Sequence, residues 1–353
     1  MILILSLGRT GSLPIYAENI VKNFKILNHE FYASKFRVNK HKHNFSIKET
    51  ITYRGKLSFV INTIFVLPVL IIKLLPKIVR TYDVLYLPYK HFWDLPFIFL
   101  FKTFHKKVIF TAHDGILHKG ERNWFTQLMN NYRLKHADEV IFLTNYARNN
   151  VVKELGINPA YEIIPHPIIN NNYVKIKGNS QTKNLLFLGR IDKYKGVELL
   201  LESVLEIEDD FEKLIIAGKS QYDIKYKEHK KIEVQDKYLS EKEIGELLTW
   251  ADVLVIPYTE ATQSGVISLG IYAELPMVCT KVGGLKEQLL EDECFWCEPN
   301  KESIAEAISK SLSDIDKRKN IAEKLKKKKS LLSWKIISLK LENNIIQIKN
   351  YGS

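Results

Sequence analysis

The stretch Leu185-Leu-Phe-Leu-Gly-Arg-Ile-Asp-Lys-Tyr-Lys-Gly196 decides the reading of this chain. Its apolar run 185–188 has the continuous hydrophobicity of a strand buried on both faces, Gly189 begins a tight turn, and a helical pattern opens at Gly196. Arg190 and Lys195 are thereby held at the carboxyl end of a strand beside a helix N-terminus. Two fixed cations, free backbone N–H groups and the helix dipole together suit a diphosphate.

Working outward from this stretch, the same alternation recurs. Towards the C-terminus, strands are expected at 214–217, 253–256 and 277–280, with helices opening at Ser240, Gly265 and Gly284. Towards the N-terminus, 2–7, 83–87, 108–112, 139–143 and 162–164 read as buried strands, and 121–136 and 145–155 are long enough for crossover helices. The pattern predicts an α/β protein with two Rossmann-like domains of parallel sheet, as suits a chain of 353 residues. The boundary is expected after Pro165-His-Pro167, where a polar stretch without periodicity runs to Asn184. This gives an N-terminal domain over 1–170, a C-terminal domain over 171–332, and an amphipathic terminal helix over 333–353. Ligands of such domains bind at the carboxyl ends of the strands, and a cleft between the two is expected.

A second motif follows the first by about seventy residues: Ala251-Asp-Val-Leu-Val-Ile-Pro-Tyr258, then Thr262-Gln-Ser-Gly265 before a helical run. Here too a strand delivers a small polar loop to a helix N-terminus. Free amides of Ser264, Gly265 and Val266, helped by the hydroxyls of Thr262 and Ser264, suit a phosphate.

With Leu214-Ile-Ile-Ala-Gly-Lys219 and Val282-Gly-Gly-Leu-Lys-Glu287, these motifs stand in the order and spacing of one family. The chain resembles, over nearly its whole length, the GT-B glycosyltransferases of family 4, the group 1 transferases of bacterial polysaccharide assembly. The resemblance implies a GT-B fold whose C-terminal helix returns to the N-terminal domain. It also implies a retaining, metal-independent transfer of a hexose-type sugar from a UDP- or GDP-sugar to a glycan or polyprenyl-diphosphate-linked acceptor. Arg190 and Lys195 become the donor-diphosphate cations, Gly189 part of the same turn, and Thr262, Gln263, Ser264, Gly265 and Val266 the distal-phosphate loop. No protein nucleophile is implied: the cations and helix dipoles stabilise the departing diphosphate, which accepts the acceptor's proton on the same face.

The chain departs from the family at one place. The family's Glu-x7-Glu pair falls on Thr262 and Gly270 when aligned on Gly265, so both carboxylates are missing, and Glu260 is out of register. In the N-terminal half, Gly8-Arg-Thr-Gly11 follows the first strand, and in family context Gly11 belongs to the loop facing the donor. His113 follows strand 108–112, where the family places a histidine against the sugar; His118 is a lesser candidate.

Residues 1–100 carry 14 Lys/Arg against 5 Asp/Glu, within a chain of formal charge +12. Lys40, Lys42, Arg54 and Lys56, set beside the apolar segment 57–75, predict peripheral attachment to the anionic inner face of the plasma membrane. The competing expectation for 57–75 is a buried crossover helix. As a membrane span it is disfavoured by Asn62, Pro68 and Lys73. The apolar N-terminus lacks a basic region and a cleavage site, and reads as a first strand rather than a signal peptide.

Three cysteines, Cys279, Cys294 and Cys297, suit a reducing cytoplasm and read as buried strand residues rather than zinc ligands. Asp314-Ile-Asp316 lies in a charged helical region and reads as solvent-exposed, so no metal or other cofactor is expected. Two other classes compete. An epimerase or hydrolase on this fold needs a carboxylate or histidine pair for acid–base work, and no such pair is evident. A non-catalytic polyanion or nucleic-acid binder needs basic and aromatic residues interleaved on a recognisable module, which is not found.

Overall fold

Short runs of branched and aromatic apolar residues form strands here because helices cover both faces of the sheets they build. The computed structural model describes residues 1–38, 45–113, 115–116, 123–176, 182–226 and 228–350. Two units are present: Met1–His166 with Trp334–Ser353, and Pro167–Ser333.

The first unit runs β1 (Ile2–Ser6), α1 (Ser12–Lys22), β2 (His29–Ser34), β3 (Ile47–Thr50), α2 (Lys56–Arg80), β4 (Val84–Leu87), α3 (Asp94–Thr103), β5 (Lys107–Ala112), α4 (Trp124–His136), β6 (Glu139–Phe142), α5 (Asn145–Leu155) and β7 (Tyr161–Ile163). Its sheet is parallel, in the order β3-β2-β1-β4-β5-β6-β7. The second unit runs β8 (Asn184–Leu188), a single 3-10 turn at Lys193–Lys195, α6 (Val197–Leu205), β9 (Lys213–Ala217), β10 (Ile232–Gln235), α7 (Glu241–Trp250), β11 (Val253–Ile256), α8 (Gly265–Tyr272), β12 (Met277–Thr280), α9 (Leu285–Gln288), β13 (Phe295–Cys297), α10 (Lys301–Ser313) and α11 (Ile315–Leu331). Its parallel sheet is ordered β10-β9-β8-β11-β12-β13. The last helix, α12 (Trp334–Asn350), rejoins the first unit.

Each sheet starts in its middle. The chain leaves β1 to one side for β2 and β3, then returns to β4 on the other; β8 and β11 repeat the device. The loops leaving β1 and β4, and those leaving β8 and β11, therefore diverge and open a crevice at the carboxyl ends of their strands. The buried Glu342 carboxylate ties α12 to the segment after α1, accepting the backbone N–H groups of Lys25, Ile26 and Leu27 at 2.6–2.8 Å.

Helix α2 differs from the buried crossover expected as one alternative. Leu67, Leu70, Leu74 and Ile78 face the core, but Leu57 (76% exposed), Ile64, Phe65 (68%), Val69 and Ile72 (69%) form an apolar stripe open to solvent. Among the described residues this is the one helix long and apolar enough to cross a membrane, and 17% of its most apolar window is buried. Asn62, which counted against a span in the sequence, turns inward and donates to the Thr52 carbonyl. Thr63 likewise accepts the Trp93 indole N–H at 2.8 Å.

The cysteines are buried and free, on or beside β12 and β13, where burial pushes the Cys297 thiol up to about 12. Asp314 caps α11 through the Lys317 N–H, and the Asp316 side chain is exposed. His118 and the Lys40–Lys42 part of the basic surface lie outside the described residues.

Candidate functional site

The crevice of the second unit is built by two glycine contacts. Gly196 adopts φ +67°, and a Cβ there would stand 2.0 Å from the Pro257 carbonyl oxygen; at Gly218 a Cβ would stand 1.9 Å from the Gly189 oxygen. Only glycine allows these backbones to approach so closely. The loop after β8 is thereby locked against the loops after β11 and β9, and Thr259 N–H donates to the Tyr194 carbonyl across the first of these seams.

This packing places both cations at the carboxyl end of the sheet. The Lys195 ammonium donates to the Tyr258 hydroxyl at 2.7 Å and lies 4.1 Å from the centroid of that ring. Burial, and after it the charge of Arg190, lowers its pKa to about 8. Arg190 is more open, 56% exposed along its side chain, with Asp192 3.9 Å away. A half-buried ammonium beside a guanidinium is held at a cost that an incoming anion relieves.

The loop before α8 departs from the expected row of free amides. Ser264 N–H donates to Gln288 Oε1 at 2.6 Å, and Val266 N–H to the Ser264 hydroxyl at 3.2 Å, so the Gly265 N–H is the one of the three without such a side-chain partner among the described residues. The Ser264 hydroxyl acts as the helix cap and also reaches the Tyr258 hydroxyl at 3.3 Å. A capping serine satisfies its own helix first, which the sequence pattern does not distinguish from an amide left for a ligand. Thr262 and Gln263 are half-buried on this loop, and Gln263 Oε1 is buried with no partner among the described residues. Tyr258 and Gln288 organise the loop and were not singled out by sequence; the Pro257-Tyr258 pair that follows β11 was the signal for the first.

Gly270, at the position of the second carboxylate, faces side chains of β11 and β12. A Cβ at Gly270 would meet Met277 Sδ at 2.6 Å and Leu254 Cδ2 at 3.0 Å. That face of α8 is packed directly on β11 and β12. Glu260 is exposed.

In the first unit, Gly11 has φ +84° and caps α1. His113 closes β5: its Nε2 is 3.0 Å from the Pro88 carbonyl oxygen, and its ring meets Tyr16 edge-on at 4.6 Å. Among the described residues no group of three His, Cys, Asp or Glu could hold a metal ion.

Across 98% of this chain and 99% of its own, the Anabaena HepE protein, solved in complex with UDP, superposes with a TM-score of 0.73 at 12% identity. The chain has the GT-B fold. Residues 182–314 match the glycosyltransferase family described as Glycosyl transferases group 1, which covers both motif loops of the second unit. An uncharacterized glycosyltransferase of Methanocaldococcus jannaschii is 32% identical over 157 residues, 41% of this chain and 40% of that protein. The phosphatidylinositol N-acetylglucosaminyltransferase gpi3 subunit of Schizosaccharomyces pombe is 23% identical over 264 residues, 65% of this chain and 57% of its own. The chain thus spans about 40–57% of the length of these curated relatives. Within the GT-B fold, the crevice between β8 and β11 lies in the matched family segment.

Proposed function

We propose that this GT-B protein is a retaining glycosyltransferase that takes a hexose-type sugar from a nucleoside-diphosphate sugar. The observation that carries the reading is Lys195, half-buried with a lowered pKa beside Arg190 at the switch point of the β8–β11 sheet. Burial first, and the Arg190 guanidinium second, disfavour the ammonium, and a bound diphosphate offsets both. The UDP bound to HepE supports a uridine donor.

In the reaction so read, the bond between the anomeric carbon and the diphosphate oxygen breaks. Arg190 and Lys195 stabilise the charge that develops on the departing oxygen, and the α8 N-terminus at Gly265 adds its dipole. The acceptor hydroxyl bonds to the same face of the sugar and gives its proton to the departing diphosphate. The cations supply the charge neutralisation for which other transferases use a metal. Gln263 Oε1 is an acceptor for a donor-sugar hydroxyl.

The acceptor is read as a glycan or lipid-diphosphate-linked glycan at the inner face of the plasma membrane. Support comes from α2, whose exposed stripe is flanked by Arg54, Lys56, Lys73 and Arg80. Apolar burial and attraction of about 1 kcal/mol per cation near an anionic leaflet act together in such a helix. The test is release of nucleoside diphosphate from a panel of nucleotide-sugars: turnover with one donor, reduced ~10²-fold in Lys195→Ala, supports the reading. No release or binding with any donor overturns it.

A further inference from the structure

The motif Val282-Gly-Gly-Leu-Lys-Glu287 supplies neither of the two cations nor any amide of the 264–266 loop. It turns at Gly283, with φ +48°, and opens α9, which is anchored by the buried Leu285 and by Leu289 just beyond it. Gly284 N–H donates to the Ala261 carbonyl at 3.0 Å, and four residues further on Gln288 meets Ser264. The two contacts bracket Thr262 and Gln263, so α9 braces the loop that precedes α8.

Gln288 makes a two-point contact. Its Oε1 accepts the Ser264 N–H at 2.6 Å, and its Nε2 donates to the Ser264 carbonyl at 3.1 Å. A neutral side-chain amide offers an acceptor and a donor side by side, which matches the N–H and C=O of one residue. The Ser264 hydroxyl is engaged as well, with Val266 N–H and the Tyr258 hydroxyl, and Thr280 at the end of β12 donates to the Tyr258 carbonyl. Ser264 is thus held at its N–H, its carbonyl and its side chain.

The carbonyl contact has a directional effect. The Ser264 C=O and the Gly265 N–H belong to one planar trans peptide and point in opposite directions, so a hydrogen bond that holds the carbonyl also aims the N–H. We propose that Gln288 is a positioning residue for the distal phosphate of the donor: it aims the Gly265 N–H at that phosphate and keeps the Ser264 N–H occupied. Gln288 acts through the peptide and does not touch the donor. A donor fixed before charge develops on the leaving group needs no reorganisation when it does, which is the condition under which such a dipole stabilises it. The role rests on the donor reading above.

The test is calorimetric titration of the full chain with UDP and with UMP, in wild type, Gln288→Met and Gln288→Ala. Methionine keeps the length and the apolar packing of the side chain but neither of its hydrogen bonds, and the thermal unfolding midpoint reports the fold of each variant. UDP should bind wild type about tenfold or more tightly than UMP. In both variants this ratio should shrink about fivefold or more through weaker UDP binding, as expected for one misaimed hydrogen bond to a charged group, with UMP affinity unchanged because a monophosphate does not reach the Gly265 N–H. An unchanged ratio overturns the proposal and leaves the donor site standing. Equal weakening of both nucleotides, or loss of the fold in both variants, shows a structural role instead and also overturns it. No UDP binding in wild type removes the donor site and this role with it.

Discussion

Lys195 and Tyr258 share one hydrogen bond and one ring face: the ammonium donates to the hydroxyl at 2.7 Å and stands 4.1 Å from the ring centroid. The pair joins the two motif loops, which are 63 residues apart in sequence. It also sets a pH dependence. The Lys195 pKa is lowered to about 8, so the unliganded protein holds the cation below that pH and loses it above. In the function proposed above the donor binds against this cation, and kcat/KM for the donor should therefore be level below pH 8 and fall as pH rises through it. Lys195→Arg, which does not deprotonate in this range, should abolish the falling limb while lowering the plateau. A pH profile unchanged in Lys195→Arg would separate the limb from this residue.

The buried pair Asp94–Arg133 should be sensitive to the loss of either partner. Burial drives the Asp94 pKa up to about 6 even though Arg133 and the His91 N–H oppose it, so the carboxylate depends on its partner. Arg133→Met should cost about 3–5 kcal/mol in urea unfolding, because it strands a buried charge, and Arg133→Met with Asp94→Leu should recover much of the loss. A double variant no more stable than the single one would contradict this.

Membrane attachment through α2 makes a separate prediction. Ile64, Phe65 and Ile72 are exposed and carry no core packing, so replacing all three with Ser should leave the unfolding midpoint unchanged within error. Co-sedimentation with anionic vesicles should be lost in the triple variant, and should weaken in wild type as added salt shortens the Debye length below about 8 Å. Equal wild-type recovery in the supernatant with and without anionic vesicles at low salt would leave only a soluble acceptor.

Chelation should have no effect on turnover, because in the proposed reaction Arg190, Lys195 and the α8 N-terminus supply the charge that a divalent ion brings elsewhere. Assay with and without EDTA checks this. Activity abolished by EDTA and restored by a divalent ion would contradict it.

The sequence made the central strands legible because β1, β4, β5, β8 and β11 are buried on both faces and read as unbroken apolar runs. The edge strands β3 and β10 escaped for the opposite reason: Lys48, Glu49, Glu233 and Gln235 give them polar residues that face solvent or pair locally. Strand β2 opens on His29 and Glu30, which interrupt an apolar run, and Glu30 is held by Lys48 and Lys77.

The position of the Arg190 and Lys195 loop was legible from strand, turn and helix in succession. What was not legible is which amides of the 264–266 loop remain available, since Gln288 comes from a different element and its contact is set by packing. A cavity of the first unit, beside His91, was invisible for the same reason: it joins the β1 and β4 loops, Tyr53 and α4, which no local pattern connects. The exposure of α2 was equally hidden, because a stripe of Leu, Ile and Phe reads the same whether a core or solvent faces it.

The most direct test of the account is calorimetric titration of UDP into the metal-free protein, in wild type and in Lys195→Met. The account predicts saturable one-site binding in wild type and a loss of at least ~10-fold, or about 1.4 kcal/mol, in Lys195→Met with the unfolding midpoint preserved. UDP binding of equal affinity in the two proteins would contradict it.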